Sequence, residues 1–271
     1  MLNGVLLLIS IVAGCVGAMT STGGGLILIP ALTLCGVDIK HAIAVSALSL
    51  IVVSNAATSR YVRQHLPNLK VDTYAEVFAV AGSLGGAVLT VTVDRRPLFF
   101  LCGGVIFLSG LMLWRWRNAS WQGGARQDAL SQWLGLTGSY YDSAEKRTIA
   151  YRGSRAALSG LLMFGAGVGV GSSALAVLIQ DRVMGLPPKV SVTTSNLIMG
   201  VMALAGVSVY LEAGLIDATL VVPVLLGSAL GALLGSKLLV EATTQVARAI
   251  FLTTLIVLGV QLFVRGLLGA V

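Results

Sequence analysis

The chain has 271 residues, of which 56% are hydrophobic and only 11% are charged. A water-soluble domain needs about a quarter of its residues charged to cover its surface, so this composition excludes a soluble globular protein. The formal net charge is +7. Because most basic residues flank apolar segments, this charge indicates orientation in a lipid bilayer and no nucleic-acid partner.

Apolar segments follow one another along the chain. Several are long enough to cross a hydrocarbon layer of about 30 Å, and strand-period alternation is absent, which predicts an all-α integral membrane protein. The segments lie at about 2–35, 41–59, 73–93, 97–114, 156–180, 190–211, 217–237 and 247–268. The first and the fifth are each interrupted by a glycine-rich polar run.

The one long polar region, residues 115–153, divides the chain in two. Tryptophans and arginines at its start, from Trp114 to Trp121, form the aromatic and basic collar expected at a membrane interface. The stretch "QDALSQWLGL" predicts a short surface helix. The predicted organisation is a first membrane repeat over 1–114, a cytoplasmic loop over 115–153 and a second membrane repeat over 154–271.

The two halves resemble each other in sequence. "GSLGGAVL" at 82–89 matches "GSALGALL" at 227–234, and "GVDIKHAIAVS" at 36–46 matches "GLPPKVSVTTS" at 185–195. These matches pair Lys40 with Lys189 and Ser46 with Ser195. Internal repeats of this kind are typical of secondary transporters. The sequence therefore predicts two repeats of four apolar segments.

The orientation of the repeats follows from the broken segments. Residues 2–35 as one helix would be about 50 Å long, well beyond the membrane thickness, so we expect a hairpin that turns at "TSTGGG" near mid-depth. With two such hairpins, fourteen of the 18 lysines and arginines fall on one side of the membrane. The positive-inside rule then predicts inverted repeats in the cell membrane, with both termini outside.

The broken segments form the candidate binding site. A helix that begins at mid-depth presents free backbone N–H groups to an anion, and nearby hydroxyl groups add donors. Polar side chains on two other segments are candidates for the same cavity, and two lysines at matching positions are candidate entrance residues. The candidate binding residues are Thr20, Ser21, Thr22, Gly23, Gly24, Gly25, Gly171, Ser172, Ser173, Ser46, Ser195 and Asn196, and the entrance residues are Lys40 and Lys189.

Other residues are not expected to take part in binding or catalysis. Four glycines are expected to allow close helix packing: Gly82, Gly86, Gly227 and Gly231. The three cysteines lack metal-ligand spacing, so neither a metal nor a cofactor is expected. No acidic residue falls at mid-depth, which leaves protonation of the substrate, or no tight coupling, as the alternatives to a carboxylate relay. An enzyme is not expected, because both histidines lie far in depth from the "GVGSS" serines.

These motifs resemble a known family. "GAMTSTGGGLILIPAL", followed by "GVDIKHAIAVS", is similar to the N-terminal signature of the sulfite exporter TauE/SafE family, and "LTGSYYDSAEKRTIAYR" at 136–152 resembles a segment found in many members. The resemblance implies a carrier of small sulfur-containing or organic anions such as sulfite, thiosulfate or sulfonates. Members often repeat the glycine and proline pattern in the second half, where this chain has "GSSALAVLI". A passive anion channel stays open as an alternative.

Overall fold

The computed structural model describes residues 2–21, 23–94, 127–142, 147–168 and 173–241, with isolated positions between 97 and 111 and at 260 and 264. In the first half, the helices are α1 Leu2–Thr20, α2 Gly25–Leu34, α3 Ile39–Arg63 and α4 Leu69–Thr92. A short helix α5 Ala129–Trp133 and two strands, β1 Thr137–Asp142 and β2 Arg147–Arg152, follow. The second half contains α6 Ala156–Val168, α7 Ser173–Leu178, a π-helix at Ile179–Val183, α8 Pro188–Glu212 and α9 Ala218–Glu241.

Four of these helices are long and apolar enough to cross a membrane: α3, α4, α8 and residues 218–239 of α9. Two shorter apolar stretches, Gly4–Thr20 and Ala156–Val168, belong to the segments predicted to be broken. The prediction of a helical membrane protein is therefore confirmed. The predicted segments at 97–114 and 247–268 lie largely outside the described residues.

Residues 127–142 and 147–152 fold as an addition at one end of the helices. The predicted surface helix is confirmed as α5, whereas the antiparallel pair β1 and β2 was not predicted. Asp128 joins α5 to the start of α6, because its carboxylate accepts from the Ser131 hydroxyl and from the Arg155 N–H at 2.7 Å. The pKa of Asp128 is lowered, chiefly by the Ser131 hydrogen bond.

Asn68 connects this addition to the helices. Its side-chain oxygen accepts from the N–H groups of Lys70 and Val71 and so caps α4. Its amide nitrogen donates to the Tyr151 hydroxyl of β2 at 3.0 Å, and its backbone N–H donates to the Thr194 hydroxyl of α8. One buried residue thus joins α4, α8 and the strands through its side chain and its backbone N–H. We call this end of the helices the hairpin face.

The opposite end, which we call the Lys40 face, holds the start of α3 and the ends of α4 and α8. The Lys40 ammonium donates to the carbonyl of Val91 at 2.9 Å, which joins the start of α3 to the end of α4. Ile39 and Ile43 of α3 pack in one cluster with Val207 and Tyr210 of α8. At the hairpin face, Tyr61 of α3 clusters with Val190 of α8. Helices α3 and α8 therefore run antiparallel.

The helices of the two halves have matching lengths. Helix α8 begins and ends 149 residues after α3, from 39 to 188 and from 63 to 212. Helix α9 begins and ends at the same interval after α4, from 69 to 218 and from 92 to 241. At this interval Gly82 corresponds to Gly231, whereas the octamer match had paired it with Gly227, one helical turn earlier. The structure thus shifts that part of the sequence match by four residues.

The predicted packing glycines lie where helices of different halves meet. A Cβ on Gly86 of α4 would lie 2.6 Å from the carbonyl oxygen of Val168 in α6. A Cβ on Gly227 of α9 would lie 2.5 Å from the carbonyl oxygen of Leu7 in α1. Gly82 and Gly231 meet α6 and α1 in the same way. Their packing role is confirmed, and the first helix of each half packs on the last described helix of the other.

Contacts bring together the beginning and the end of each interrupted segment. In the first, Leu6 of α1 and Leu32 of α2 share a cluster with Val224 from the start of α9. In the second, the N–H of Ser154, just before α6, donates to the carbonyl of Met184, just after the π-helix, at 3.0 Å.

Candidate functional site

The break between α1 and α2 has a left-handed backbone. Ser21, Gly23 and Gly24 have φ angles of 59°, 60° and 75°. Glycine adopts such angles without the penalty that a Cβ imposes. A Cβ on Gly24 would also lie 2.6 Å from the carbonyl oxygen of Ala13. Both the turn and its close approach to α1 thus require glycine.

This break lies at the middle of α3 and α8, the two longest helices that the structure describes. A Cβ on Gly23 would fall on the side chains of Leu50 and Met199. Leu50 stands near the centre of α3, and Met199 stands near the centre of α8. Since both helices have 25 residues and run antiparallel, the turn lies about as far from the hairpin face as from the Lys40 face.

Helix α2 begins directly at this point. Gly24 acts as its N-cap residue, and its carbonyl accepts from the Leu28 N–H at 2.8 Å. The N–H groups of Gly24, Gly25 and Leu26 have no acceptor within the helix, because the first N–H groups of any α-helix lack one. These groups carry the positive end of the helix dipole.

A cavity adjoins the start of α2; its volume, with the space open to solvent included, is about 520 Å³. It extends from mid-depth, at Gly25 and Leu50, toward the Lys40 face, at Ile43 and Tyr210. Helices α2, α3, α4, α6 and α8 all contribute to its wall. The lining residues are Gly25, Ile29, Ile43, Ser46, Ala47, Leu50, Ser83, Gly86, Ala87, Gly167, Ala203, Gly206 and Tyr210.

The described part of the cavity wall carries no charge. All the lining residues that the structure describes are uncharged, and most are apolar or small. The Ser83 hydroxyl donates to the carbonyl of Met202 at 2.7 Å. The Ser46 hydroxyl, in contrast, is buried and has no hydrogen-bond partner among the described residues. The available polar groups of this wall are therefore hydroxyls and backbone amides.

Three predicted serines share this unpaired state. Ser21, Ser46 and Ser195 are at most 2% exposed, and their hydroxyl oxygens have no partner within the described part of the chain. A buried polar group without a partner is costly, which makes each a candidate to contact a ligand. Ser46 lies one turn before Leu50 on α3, and Ser195 lies one turn before Met199 on α8. Both therefore lie one turn from the side chains that Gly23 approaches.

Asn196 is occupied by the end of α1. Its amide nitrogen donates to the carbonyl of Ala18 at 3.3 Å and to that of Val192 at 3.1 Å. The hydroxyl of Tyr61 donates to the same Ala18 carbonyl at 3.0 Å. These two side chains satisfy a carbonyl that the end of a helix leaves without an intrahelical donor. Asn196 thus has no amide N–H left for an anion.

The other predicted site residues lie at the breaks or at the helix starts. The Thr20 hydroxyl donates to the carbonyl of Val16 at 2.7 Å. Lys40 and Lys189 lie in the first turns of α3 and α8, at opposite faces. Thr22, Gly171 and Ser172 lie outside the described residues. Ser173 begins α7, and its side chain also lies outside them.

Comparison with known proteins identifies the family. A family model described as sulfite exporter TauE/SafE matches residues 6–262. The chain belongs to the sulfite exporter TauE/SafE family. It is a multi-pass membrane protein.

Two relatives of this TauE/SafE chain come from Bacillus subtilis (strain 168). The protein called "Probable membrane transporter protein YunE" is 24% identical over 97% of this chain and 98% of the relative. The protein called "Probable membrane transporter protein YdhB" is 28% identical over 86% of this chain and 87% of the relative. No solved structure matches the chain.

Gln180 is one of the buried polar groups of this TauE/SafE protein that sequence reasoning missed. Gln180 is fully buried in the π-helix, and neither amide atom has a partner among the described residues. At the 149-residue interval its neighbour Ile179 occupies the place of Pro30, which lies inside α2. The signal was present in the sequence, because "IQDRV" interrupts an apolar run with polar residues. π-Helical turns are frequent at functional sites.

Proposed function

We propose that this TauE/SafE protein is a secondary transporter that moves a small sulfur-containing or organic anion, of the sulfite, thiosulfate or sulfonate class. The observation that carries the proposal is the start of α2 at mid-depth, beside a cavity with an unpaired buried serine. The anion is held by the N–H groups of Gly24 and Gly25 and by the hydroxyls of Ser21 and Ser46. The names of the family and of the relatives support a transporter.

The chemistry of the wall favours a small anion over other solutes. Backbone N–H groups and hydroxyls donate hydrogen bonds, and the positive end of the α2 dipole adds an attraction for negative charge. Among the described residues, none that lines the cavity carries a charge that would hold the anion too tightly to release. The second broken segment contributes donors in the same way, through Gly171, Ser172 and Ser173. Ser195 of α8 adds a further hydroxyl. Asn196 positions the end of α1.

Two inverted repeats, each with a broken first segment that enters and leaves on one face, are the architecture we propose for this carrier. The antiparallel course of α3 and α8 supports the inversion, and the constant interval of 149 residues supports the repeat. The Ser154 to Met184 hydrogen bond supports the return of the second broken segment to its starting face. Such repeats, with sites at half-helix ends, are common among secondary transporters.

The orientation in the membrane gives a separate prediction. Among the described residues, Lys40 is the single lysine or arginine at the Lys40 face, and the other nine lie toward the hairpin face: Arg60, Arg63, Lys70, Arg147, Arg152, Arg155, Arg182, Lys189 and Lys237. By the positive-inside rule the hairpin face is cytoplasmic. A protease-cleavable tag inserted at residue 125 should therefore resist external protease in intact cells and be cleaved after lysis. Cleavage in intact cells would overturn this orientation.

The test of the function is flux into proteoliposomes that contain the purified protein. Sulfite, thiosulfate, sulfoacetate and sulfate are supplied separately, each with and without a pH gradient. We expect saturable uptake of at least one sulfur oxyanion, and faster exit of internal label when the same anion is present outside. A folded protein that moves none of the four would refute the sulfur-anion class.

Counterflow also separates the carrier from the alternative. A passive channel of the same architecture can share the binding site, since backbone dipoles also select ions in channels. In a channel, external anion does not accelerate the exit of internal label. Exit that is independent of external anion would therefore favour the channel, and a pH-gradient effect on the flux would indicate proton coupling.

A further inference from the structure

Helix α4, the π-helix and α8 meet in one hydrophobic cluster. Ala75 of α4, Ile179 of the π-helix and Ile198 of α8 all pack there. Helices α4 and α8 both begin at the hairpin face, where the Asn68 N–H donates to the Thr194 hydroxyl at 3.0 Å. The three elements are therefore in contact on the side of the molecule that leads from the centre to the hairpin face.

Two polar residues lie on the helix faces that form this contact. Asp72 lies three residues before Ala75 on α4, and Ser191 lies seven residues before Ile198 on α8. Residues three or seven apart share one face of a helix. Asp72 and Ser191 are thus on the packed faces of their helices, each on the hairpin-face side of the cluster.

Gln180 is the polar residue that the π-helix adds. It directly follows Ile179, and its carbonyl accepts from the Leu186 N–H at 3.0 Å. Leu186 is two residues before Pro188, at which α8 begins. The backbone of Gln180 therefore lies next to the start of α8, the part of that helix to which Ser191 belongs.

The side chains of these three residues are buried and carry unpaired atoms. Asp72 is 8% exposed, and Gln180 and Ser191 are fully buried. One carboxylate oxygen of Asp72, both amide atoms of Gln180 and the Ser191 hydroxyl have no hydrogen-bond partner within the described part of the chain. A buried carboxylate without a counter-charge is costly. One negative charge and two neutral oxygen ligands thus lack a counterpart on three elements that touch.

The basic groups nearest in sequence have other neighbours. The Arg182 Nε lies 3.3 Å from the carboxylate of Asp181, with which it forms an ion pair. The Lys70 ammonium lies beside Gly135, since a Cβ on that glycine would lie 3.2 Å from the Lys70 Nζ. Among the described residues, Asp72 forms no ion pair with either of them.

We propose that Asp72, Gln180 and Ser191 bind a monovalent metal cation, for which Na⁺ is the probe, and that this cation is the coupling ion of the carrier. Carboxylate, amide and hydroxyl oxygens are ligands of hard cations. One carboxylate balances one positive charge, whereas a divalent ion would leave a net charge in a buried site. A proton on Asp72 would satisfy the carboxylate and leave Gln180 and Ser191 without partners.

The cation site is adjacent to the proposed anion site. Ser195, which we propose as an anion ligand, lies four residues after Ser191 on α8, a rise of about 6 Å. Opposite charges at such a distance attract each other in a protein interior, so each ion should raise the affinity of the other. This inference rests on the proposed carrier function and names the ion that accompanies the anion.

The experiment measures equilibrium binding of radiolabelled Na⁺ to the purified protein in choline buffer, without any anion substrate. We expect saturable binding of about one ion per chain, displaced by unlabelled Na⁺ and not by choline. Na⁺ should also raise the thermal unfolding temperature, because a ligand that binds the folded state stabilises it. Absence of saturable binding to the folded protein would overturn the proposal.

Three variants test the ligands one at a time. Asp72→Asn keeps the shape and removes the charge, so Na⁺ binding should weaken at least tenfold. Gln180→Leu and Ser191→Ala each remove one oxygen and should weaken binding about three- to tenfold. Because all three changes remove unpaired buried atoms, the variants should unfold in Na⁺-free buffer at the temperature of the wild type or above it. Unchanged Na⁺ affinity in both Asp72→Asn and Gln180→Leu would overturn the site.

Two matched controls carry the same chemical changes where the polar group has a partner. Asp217→Asn removes an exposed carboxylate that accepts from the Thr219 hydroxyl at 2.8 Å. Thr193→Val removes a buried hydroxyl of α8 that donates to the carbonyl of Lys189 at 2.9 Å. Both variants should bind Na⁺ within twofold of the wild type. Losses equal to those of Asp72→Asn and Ser191→Ala would show a general effect of the substitutions and overturn the assignment.

Na⁺ binding needs no anion, so the two proposals fail separately. Asp72-dependent Na⁺ binding without flux of any sulfur anion would reject the substrate class and keep the cation site. Saturable anion flux that is equal in Na⁺ and choline buffers, by protein that binds no Na⁺, would keep the carrier and reject the cation site. If both proposals hold, Na⁺ should raise anion uptake at low anion concentration at least threefold, and Asp72→Asn should abolish this increase.

Discussion

Replacing Gly24 with alanine is expected to abolish anion flux in proteoliposomes. Gly24 has a φ of 75°, and a Cβ at this position would lie 2.6 Å from the backbone oxygen of Ala13. Backbone atoms cannot yield as the end of a side chain can, so the start of α2 must shift away from α1. The N–H groups that we propose to hold the anion shift with it, and a displacement of about 1 Å in a binding group is enough to lose function.

Gly36→Ala is the matched control for this change. Gly36 also has a left-handed backbone, with a φ of 86°, but nothing lies within 4 Å of the Cβ that alanine would add. This variant therefore carries only the backbone penalty, about 1–2 kcal/mol, and should retain most of the flux. Normal flux in Gly24→Ala, in protein with unchanged thermal stability, would show that α2 need not approach α1 so closely.

The second large effect, on anion affinity, is expected at Ser46 and Ser195, which occupy matching positions in the two halves. Ser46→Ala and Ser195→Ala should each raise the Kd of the transported anion about tenfold or more, since a hydrogen bond to a charged group contributes about 1.5–3 kcal/mol. Because neither hydroxyl has a partner among the described residues, removing it should leave the thermal unfolding temperature unchanged or slightly raised. Equilibrium binding of the anion and thermal unfolding, measured on the same samples, check both parts.

Ser49→Ala provides the control on the same helix. Ser49 is as deeply buried as Ser195, but its hydroxyl donates to the carbonyl of Ser46 at 2.7 Å. Its loss should cost about 1 kcal/mol of stability and leave the affinity for the anion within about twofold. Equal losses of affinity in Ser46→Ala and Ser49→Ala would mean that the Ser46 hydroxyl is not a ligand.

Part of the candidate site was predictable because its signal is local. Three consecutive glycines beside hydroxyl residues, in a segment otherwise apolar, indicate a break at membrane depth, and the structure has α1 end at Thr20 and α2 begin at Gly25. The packing glycines were predictable for the same reason, since small residues one turn apart form a stripe on a helix. Ser46 and Ser195 were predictable because they occupy matching positions of the internal repeat, which is visible in the sequence.

Other parts depend on contacts between distant segments. Asn196 looks like a free donor in "TTSN", but its N–H groups are used by Ala18, 178 residues earlier, and by Val192. Tyr61 has no motif around it, and its partner Ala18 is 43 residues away. A group that is near in space but far in sequence can form the hydrogen bonds of a polar side chain. Neither composition nor a local motif predicts such a partner.

The sequence by itself determined that this protein lies in a lipid bilayer, that it has two similar halves and where its helices break. Each of these follows from hydropathy, from internal similarity or from the backbone freedom of glycine, and these properties belong to short stretches of chain. Only the tertiary structure decided which hydroxyls remain unpaired and on which side of the centre the cavity lies. Packing alone places the Tyr61 hydroxyl against the Ala18 carbonyl and Tyr210 in the cavity wall, because these contacts join segments that are distant in sequence.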